Sequence, residues 1–175
     1  MSIDIEIMNG NAAWRTAKPL LEAVWPPDVM ATSPWRDIVF AHADFRVLVE
    51  TPDDGLVCHV GIYRRHATLN GRTVHVGGIG GVATRQDHRR QGLATIALNA
   101  ALQTLKHEGS IGFALLFCEP HNFDFYRARG WHPFEGEIVA EQPSGHGRFD
   151  VLSPFVFDLV QRPRTGTIDL RGLPW

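Results

Sequence analysis

A group of arginines just before a glycine is the feature of this sequence that most directly predicts chemistry. Arg85, Arg89 and Arg90 precede Gly92, and apolar residues recur at helical spacing from Leu93 onward. The N-terminus of a helix presents unpaired N–H groups and partial positive charge, and guanidinium groups bind phosphate oxygens in pairs. Gly92 has no Cβ, so a ligand can approach its backbone closely. The segment therefore predicts a pyrophosphate site, although its charge alone fits an ordinary solvated turn equally well.

The elements around this segment predict a mixed α/β fold. Strands joined by the Asn70-Gly71 turn, and by the turn over 52–55, must run antiparallel, whereas the strands on either side of the helix from Leu93 would be parallel. Predicted strands cover 3–8, 45–49, 56–69, 73–84, 111–117, 131–141 and 149–160, and predicted helices cover 12–24, 34–43, 93–105 and 123–129. We expect one domain over residues 1–175, of which 161–175 form a C-terminal tail.

Two motifs, separated by the predicted helix and an apolar strand, resemble those of a known superfamily. Arg89-Arg90-Gln91-Gly92-Leu93-Ala94 matches the Q/R-x-x-G-x-G/A signature of the GNAT N-acetyltransferases, and Phe125-Tyr126-Arg127-Ala128-Arg129-Gly130-Trp131 resembles their F-Y-x-x-x-G-F/W segment. The resemblance covers roughly residues 45–135. It implies the GNAT fold, a central, mostly antiparallel twisted sheet of about seven strands with helices on both faces.

The same resemblance implies acetyl-coenzyme A as the acetyl donor. Main-chain N–H groups would hold its pyrophosphate, and the end of the preceding strand would pair with its pantetheine arm. The residues assigned to the donor in this way are Val82, Ala83, Thr84, Arg89, Arg90, Gln91, Gly92, Leu93, Ala94 and Thr95. The pairing requires the strands that end near Thr84 and Phe117 to diverge, and the glycine run 77–81 would allow a bulge there. A free N–H near Val82 could then stabilise a developing oxyanion.

Tyr126 is the candidate general acid, because a phenol is protonated at pH 7 and can donate a proton to a departing sulfur. Its alternative role is that of a packed core tyrosine. The candidate base is Glu119, which follows the apolar strand, with His121 and His75 as second candidates. For each of these three, a hydrogen-bonded structural side chain is an equally good interpretation.

The C-terminal segment supports a narrower resemblance. Residues 168–175 end on Trp175 and, together with Gly81-Val82-Ala83, resemble aminoglycoside 2'-N-acetyltransferases, in which a terminal Trp carboxylate reaches the acceptor site. The resemblance therefore implies a catalytic role for Trp175. Those enzymes carry a Glu just before the Gly-Val-Ala strand end, where this chain has Gly80. Residues 131–160 hold five acids against Arg148, which fits either an acidic wall for a polycation or a solvated outer face.

The composition limits the class of partner. Seventeen Lys and Arg stand against nineteen Asp and Glu, which is not the basic excess of a nucleic-acid-binding protein. No apolar run approaches the roughly 20 residues that span a bilayer. The two cysteines and nine histidines show no metal-ligand spacing, so we expect no metal. We expect a cytoplasmic protein without nucleic-acid or membrane partners, and an exposed strand near the C-terminus could pair two copies as a homodimer.

The predicted activity is transfer of an acetyl group from acetyl-CoA to a primary amine of a small molecule, by direct attack in a ternary complex. Aminoglycosides and polyamines are the first acceptors to test. Two alternatives remain open: a non-catalytic module that binds or senses acyl-CoA, and an N-acetyltransferase that acts on proteins.

Overall fold

A computed structural model describes all residues from Met1 to Trp175. Its ten strands are β1 (Asp4–Asn9), β2 (Phe45–Thr51), β3 (Gly55–Leu69), β4 (Arg72–Thr84), β5 (Phe113–Cys118), β6 (His132–Pro133), β7 (Glu137–Gln142), β8 (Gly145–Arg148), β9 (Ser153–Asp158) and β10 (Thr167–Asp169). Its helices are α1 (Trp14–Val24), α2 (Pro27–Thr32), α3 (Leu93–His107) and α4 (Phe123–Arg127), with single 3₁₀ turns at Gln86–His88 and Pro120–Asn122. The expected mixed α/β class is confirmed, with more strands than the seven predicted.

All ten strands belong to one mixed sheet. Its main order is β6-β9-β5-β4-β3-β10-β7-β8, and the β1–β2 pair extends from the first half of β3. Strands β4 and β5, on either side of α3, are parallel as predicted. Strands β10 and β7 form a second parallel pair that the sequence did not predict. The remaining pairings are antiparallel, so the sheet has the mostly antiparallel character expected.

The sheet curls strongly over the strands from β6 to β7 in its order. Strands β6 and β7 lie six places apart in the sheet order, which would separate them by about 29 Å if the sheet were flat. The chain joins them through residues 134–136, which can span about 14 Å at most. The sheet must therefore wrap around a core of its own, which contains Phe113, Leu115, Phe134, Ile138 and Trp175.

Helices cover both faces of the other half of the sheet. Alternate residues of β2 point to opposite faces, and Leu48 packs with Ala13 and Ala17 around α1, whereas Val47 and Val49 pack in the cluster that contains α3. No helix combines the length and the apolar composition that crossing a membrane requires.

Two sequence predictions about connecting segments were wrong. The helix predicted over 34–43 is absent, and a helix forms earlier, at α2, because Pro27 occupies its first turn, where a missing N–H costs nothing. The 161–175 segment is not only a tail: β10 inserts between β3 and β7. Its three residues carry too little pattern to predict a strand, since their pairing partners lie far away in the chain.

Candidate functional site

A gap opens in the sheet where β4 and β5 diverge. The two strands pair only over Val76–Ile79 and Phe113–Leu116. Beyond that point β4 continues to Thr84 beside β3, and β5 continues to Cys118 beside β9. The predicted divergence is therefore present, and the facing edges of the two strand ends have no strand between them. An extended ligand could pair with either edge as an added strand.

A bulge in β4 lies at the mouth of this gap. The β3–β4 register shifts between His59 and Gly61, so that Gly81 and Val82 lie opposite a single residue of β3. Gly81 has a φ of +57°, in the left-handed region that glycine adopts without strain. A Cβ at Gly81 would also lie 3.1 Å from Cε1 of His59. The glycine run thus allows the predicted bulge, which turns the Gly81–Val82 peptide out of the regular ladder.

The N-terminus of α3 forms an open cradle of main-chain amides. The first helical hydrogen bond runs from the Ile96 N–H to the Gly92 carbonyl (3.1 Å), so the amides before Ile96 have no partner within the helix. Arg90 (φ +62°) and Gly92 (φ +78°) are both left-handed. Alternation of this kind forms a concave nest of N–H groups that suits an anion. A Cβ at Gly92 would meet no atom within 4 Å, so the protein leaves this position open to a ligand.

The arginines near this cradle differ in their availability. Arg89 is exposed and its Nε donates to the Thr84 carbonyl (3.2 Å), which ties the cradle to the end of β4. Arg90 is exposed. Arg85 donates two hydrogen bonds of 2.7 Å to Asp87 and contacts Asp54 at 3.0 Å, so its charge is already neutralised. Arg85 is therefore a weaker candidate for the expected phosphate role than Arg89 and Arg90.

Arg129 is a further cation at this site that the sequence reasoning missed. Its Nε donates to Oγ1 of Thr95, in the first turn of α3, at 2.8 Å. Its Nη1 donates to the carbonyl of Phe125, and the guanidinium lies 3.7 Å from the centroid of that ring. Arg129 thus links α4 to the cradle. Its position two residues before Trp131, inside the second motif, is the signal that could have identified it.

Tyr126 lies on α4, next to the end of β5. Its side chain is buried, and the Trp131 ring packs edge-on against it. Burial raises the pKa of Tyr126, and the nearby Cys118 thiol raises it further. The phenol therefore carries its proton throughout the neutral pH range, as a general acid requires.

Two of the three candidate bases lie together at the gap. Glu119 directly follows β5, its side chain is about one-third exposed, and its Oε2 lies 4.0 Å from Nε2 of His121. His75 lies nine residues before Thr84 in β4, about 30 Å away along the strand. There it stacks on His66 and contacts Ser110. Its position excludes His75 as the base.

Trp175 packs against β4 at Gly78 and Gly80, where the gap between β4 and β5 begins. Its indole Nε1 donates to the Leu115 carbonyl (3.0 Å), and its ring stacks on Tyr63 with centroids 5.7 Å apart. A Cβ at Gly78 would lie 2.4 Å from the indole, and a Cβ at Gly80 would lie 3.4 Å from the main-chain carbonyl carbon of Trp175. Trp175 therefore occupies the space beside Gly80. Tyr63, which the sequence analysis did not single out, shares this space.

Residues 10–134 match the model of the acetyltransferase (GNAT) domain. The chain belongs to the GNAT acetyltransferase family. This match confirms the expected superfamily and the expected enzyme class, the N-acetyltransferases.

Relatives and solved structures agree with the family. Over 90 residues the chain is 31% identical to an aminoglycoside 2'-N-acetyltransferase of Mycolicibacterium fortuitum, and the match covers 51% of this chain and 45% of that protein. The chain therefore spans about half the length of this curated relative. The fold resembles Escherichia coli ElaA (TM-score 0.62, 19% identity, 90% of this chain and 100% of that one). It also resembles E. coli YhbS in complex with CoA (TM-score 0.62, 14% identity, 97% and 89%) and a Brucella melitensis GNAT acetyltransferase in complex with acetyl-CoA (TM-score 0.58, 12% identity, 95% and 94%).

Two of the five acids of residues 131–160 are paired with arginine side chains. Asp158 accepts two hydrogen bonds of 2.7 Å from Arg164, and these lower the pKa of its carboxyl group. Asp150 lies 3.8 Å from Arg148. The other acids in this range, Glu135, Glu137 and Glu141, are exposed. No group of three or more His, Cys, Asp or Glu side chains is placed to hold a metal ion.

Proposed function

We propose that this GNAT domain transfers the acetyl group of acetyl-CoA to a primary amine. The observation that carries the proposal is the gap between β4 and β5, which opens beside the amide cradle of α3 and next to Tyr126. An elongated donor with a diphosphate at one end and a reactive group at the other fits such an arrangement. Solved GNAT structures of similar fold that contain CoA or acetyl-CoA support this choice of donor.

Residues of this chain fit the donor along its length. The amides of Gln91, Gly92, Leu93, Ala94 and Thr95 would hold the pyrophosphate, with Arg89 and Arg90 beside them. The free edge of β4 at Val82, Ala83 and Thr84 would pair with the pantetheine arm. The Thr84 carbonyl already accepts from Arg89, so this arginine fixes the strand end relative to the cradle.

The bound thioester supplies an activated acetyl group, whose carbonyl carbon the amine nitrogen attacks as the C–N bond forms and the C–S bond breaks. The Val82 N–H, on the bulged peptide, would donate to the carbonyl oxygen as negative charge develops there. Tyr126 would donate its proton to the departing sulfur. Glu119 would accept the proton of the amine, directly or through water, with His121 as its neighbour.

We further propose a small-molecule amine as the acceptor, with Trp175 as part of the acceptor site. The support is the aminoglycoside 2'-N-acetyltransferase relative, together with the position of Trp175 against Gly80, where the resembling enzymes carry a Glu. Because this chain has Gly80 in place of that Glu, and the main chain of Trp175 packs beside it, an aminoglycoside is one member of the amine class to test and not the assumed substrate.

The test is a thiol-release assay with acetyl-CoA and a panel of aminoglycosides, polyamines, amino-terminal peptides and lysine peptides. We expect turnover with a small amine. Calorimetry with CoA provides the second measurement: Arg90→Gln should weaken binding severalfold, whereas Arg148→Gln, an exposed arginine on β8, should leave it unchanged. Tight CoA binding without turnover on any amine would favour a sensing module, and turnover on peptides alone would favour a protein acetyltransferase. Absence of CoA binding would overturn the proposal.

A further inference from the structure

Behind the bulge of β4, two buried side chains form a chain of hydrogen bonds that the proposed mechanism does not use. His59 is 1% exposed and Arg46 is 5% exposed. His59 Nδ1 lies 2.7 Å from the Gly81 carbonyl oxygen, and its Nε2 lies 3.1 Å from Nη1 of Arg46. The Nε of Arg46 donates to the Gly10 carbonyl at 2.9 Å. The chain therefore runs from β2 through β3 to the bulged residue of β4.

The partners determine the direction of every hydrogen bond in this chain. A guanidinium can only donate and a carbonyl can only accept, so Nε2 of His59 accepts from Arg46 and Nδ1–H donates to Gly81. This requires the neutral imidazole with its proton on Nδ1. Burial, with a smaller contribution from the nearby Arg46, lowers the pKa of His59 to about 4 although the hydrogen bond to Gly81 acts in the opposite direction, and this agrees with the neutral form.

Arg46 is a buried cation without a carboxylate partner. It forms no ion pair in the structure, and its guanidinium carbon lies 4.9 Å from the centroid of the Trp14 ring. A buried charge that no acid neutralises is expensive to maintain, because burial removes its hydration. Its hydrogen bonds to Gly10 and His59 and its contact with the Trp14 ring are the interactions that offset this cost.

The Gly81 carbonyl and the Val82 N–H belong to one peptide group. In a trans peptide these two bonds point in opposite directions, so a donor on the carbonyl oxygen leaves the N–H directed away from His59. Hydrogen bonds in a chain polarise one another, and a bond to the oxygen of an amide makes its N–H a stronger donor. The positive charge of Arg46 would thus polarise the Val82 N–H through the two hydrogen bonds of His59.

We propose that His59 and Arg46 are positioning residues for acetyl transfer: they fix the Gly81–Val82 peptide in its bulged orientation and polarise the Val82 N–H toward the thioester oxygen. This inference rests on the proposed function, because it assigns a support to the oxyanion donor named there. It predicts an effect on the acetyl carbonyl and on the rate of transfer, with little effect on the affinity for CoA, which has no acetyl group.

The test compares His59→Leu, which removes both hydrogen bonds, with His59→Gln, whose amide can donate to Gly81 and accept from Arg46. The control is His66→Gln, an exposed histidine on the same strand. Infrared spectra of bound acetyl-CoA labelled with ¹³C at the carbonyl, recorded without an acceptor, report the polarisation directly. We expect a lowered carbonyl frequency in the wild type that returns toward the solution value in His59→Leu. We also expect about a 10- to 100-fold loss of kcat, an affinity for CoA within about threefold, and recovery in His59→Gln.

If His59→Leu does not fold, Arg46→Met provides a second variant. This substitution removes the cation and keeps an apolar side chain of similar length. It should shift the carbonyl band in the same direction by a smaller amount. An unchanged band in every folded variant of the chain, or a rate loss that His59→Gln does not recover, would overturn the inference while leaving the proposed function standing. Failure of the wild type to bind acetyl-CoA would overturn both.

Discussion

The two halves of the sheet offer a ligand different kinds of contact. The α3 half comprises β1 to β5 with α3 and presents main-chain groups, namely the amides of the cradle and the free edge of β4. The Trp175 half comprises β6 to β10 with residues 170–175 and presents side chains, chiefly Trp175, whose ring stacks on Tyr63 of β3. Main-chain recognition needs a particular backbone shape, which glycines reveal in a sequence. Side-chain recognition needs long-range packing, and a local motif such as residues 168–175 does not specify the packing partners.

Gly77 and Gly78 show how closely the two halves meet. A Cβ at Gly77 would lie 2.6 Å from Leu105 of α3, and a Cβ at Gly78 would lie 2.4 Å from Trp175. Neighbouring residues of a strand point to opposite faces, so this pair of glycines admits the helix on one side and the indole on the other. The proposed donor and acceptor sites thus share a single strand, β4.

The largest expected effect concerns Tyr126, which stands beside the α3 half. In Tyr126→Phe the ring keeps its packing against Trp131, so stability should change little, but the proton for the leaving sulfur is lost. We expect kcat to fall by roughly 100-fold or more, with the KM for acetyl-CoA nearly unchanged. Because burial raises the pKa of Tyr126, its deprotonation should not limit the wild-type rate below about pH 10. A kcat equal to that of the wild type would exclude Tyr126 as the acid.

The second prediction concerns the stability of the folded protein at acid pH. It should depend on His59, which lies on β3 in the α3 half. Its pKa is near 4 in the folded chain and near 6.5 in the unfolded chain, so the unfolded chain binds the extra proton between these values. The contribution of His59 to the free energy of unfolding is fully present above pH 6.5. It declines by roughly 3 kcal/mol as the pH falls toward 4. Denaturant titrations at pH 7, 5 and 4 measure this loss. The same decline in His59→Gln would assign it to other groups.

The sequence predicted most of the α3 half because the relevant signals are local. Gly92, the arginines around it and the helix that follows occupy one short segment, and the bulge lies within one glycine run. The chain of hydrogen bonds behind the bulge was not predicted, because Arg46 is 13 residues from His59 and 36 from Gly10. Likewise, the seat of Trp175 depends on Leu115, 60 residues earlier. Side-chain contacts between residues so far apart in the sequence produce no periodic pattern that would predict them.

The third prediction uses the adjacent glycines Gly77 and Gly78 to distinguish effects on the proposed acceptor site from effects on the proposed donor site. Gly78→Ala should displace the rigid indole of Trp175, destabilise the fold by about 1–3 kcal/mol and raise the KM for the amine severalfold, without changing the Kd for CoA. Gly77→Ala should be milder, because the end of the flexible Leu105 side chain can move aside. Denaturation curves and the two binding constants provide the comparison. A weaker affinity for CoA in Gly78→Ala would show that the two sites are not separable along β4.

The last prediction concerns Gly92, which has a close internal control at the other end of α3. Gly92 and Gly109 lie at opposite ends of α3, with φ of +78° and +68°, and a Cβ at either would meet no atom of the protein within 4 Å. Alanine at each position should therefore cost a similar strain, about 1–2 kcal/mol. In Gly92→Ala the new methyl group also enters the cradle, so we expect about a tenfold weaker affinity for CoA, measured by calorimetry, whereas Gly109→Ala should keep the wild-type affinity. Because the strain is matched, any difference in affinity between these two variants measures the ligand's approach to the backbone at Gly92. Equal affinities would mean that the diphosphate does not lie against this residue.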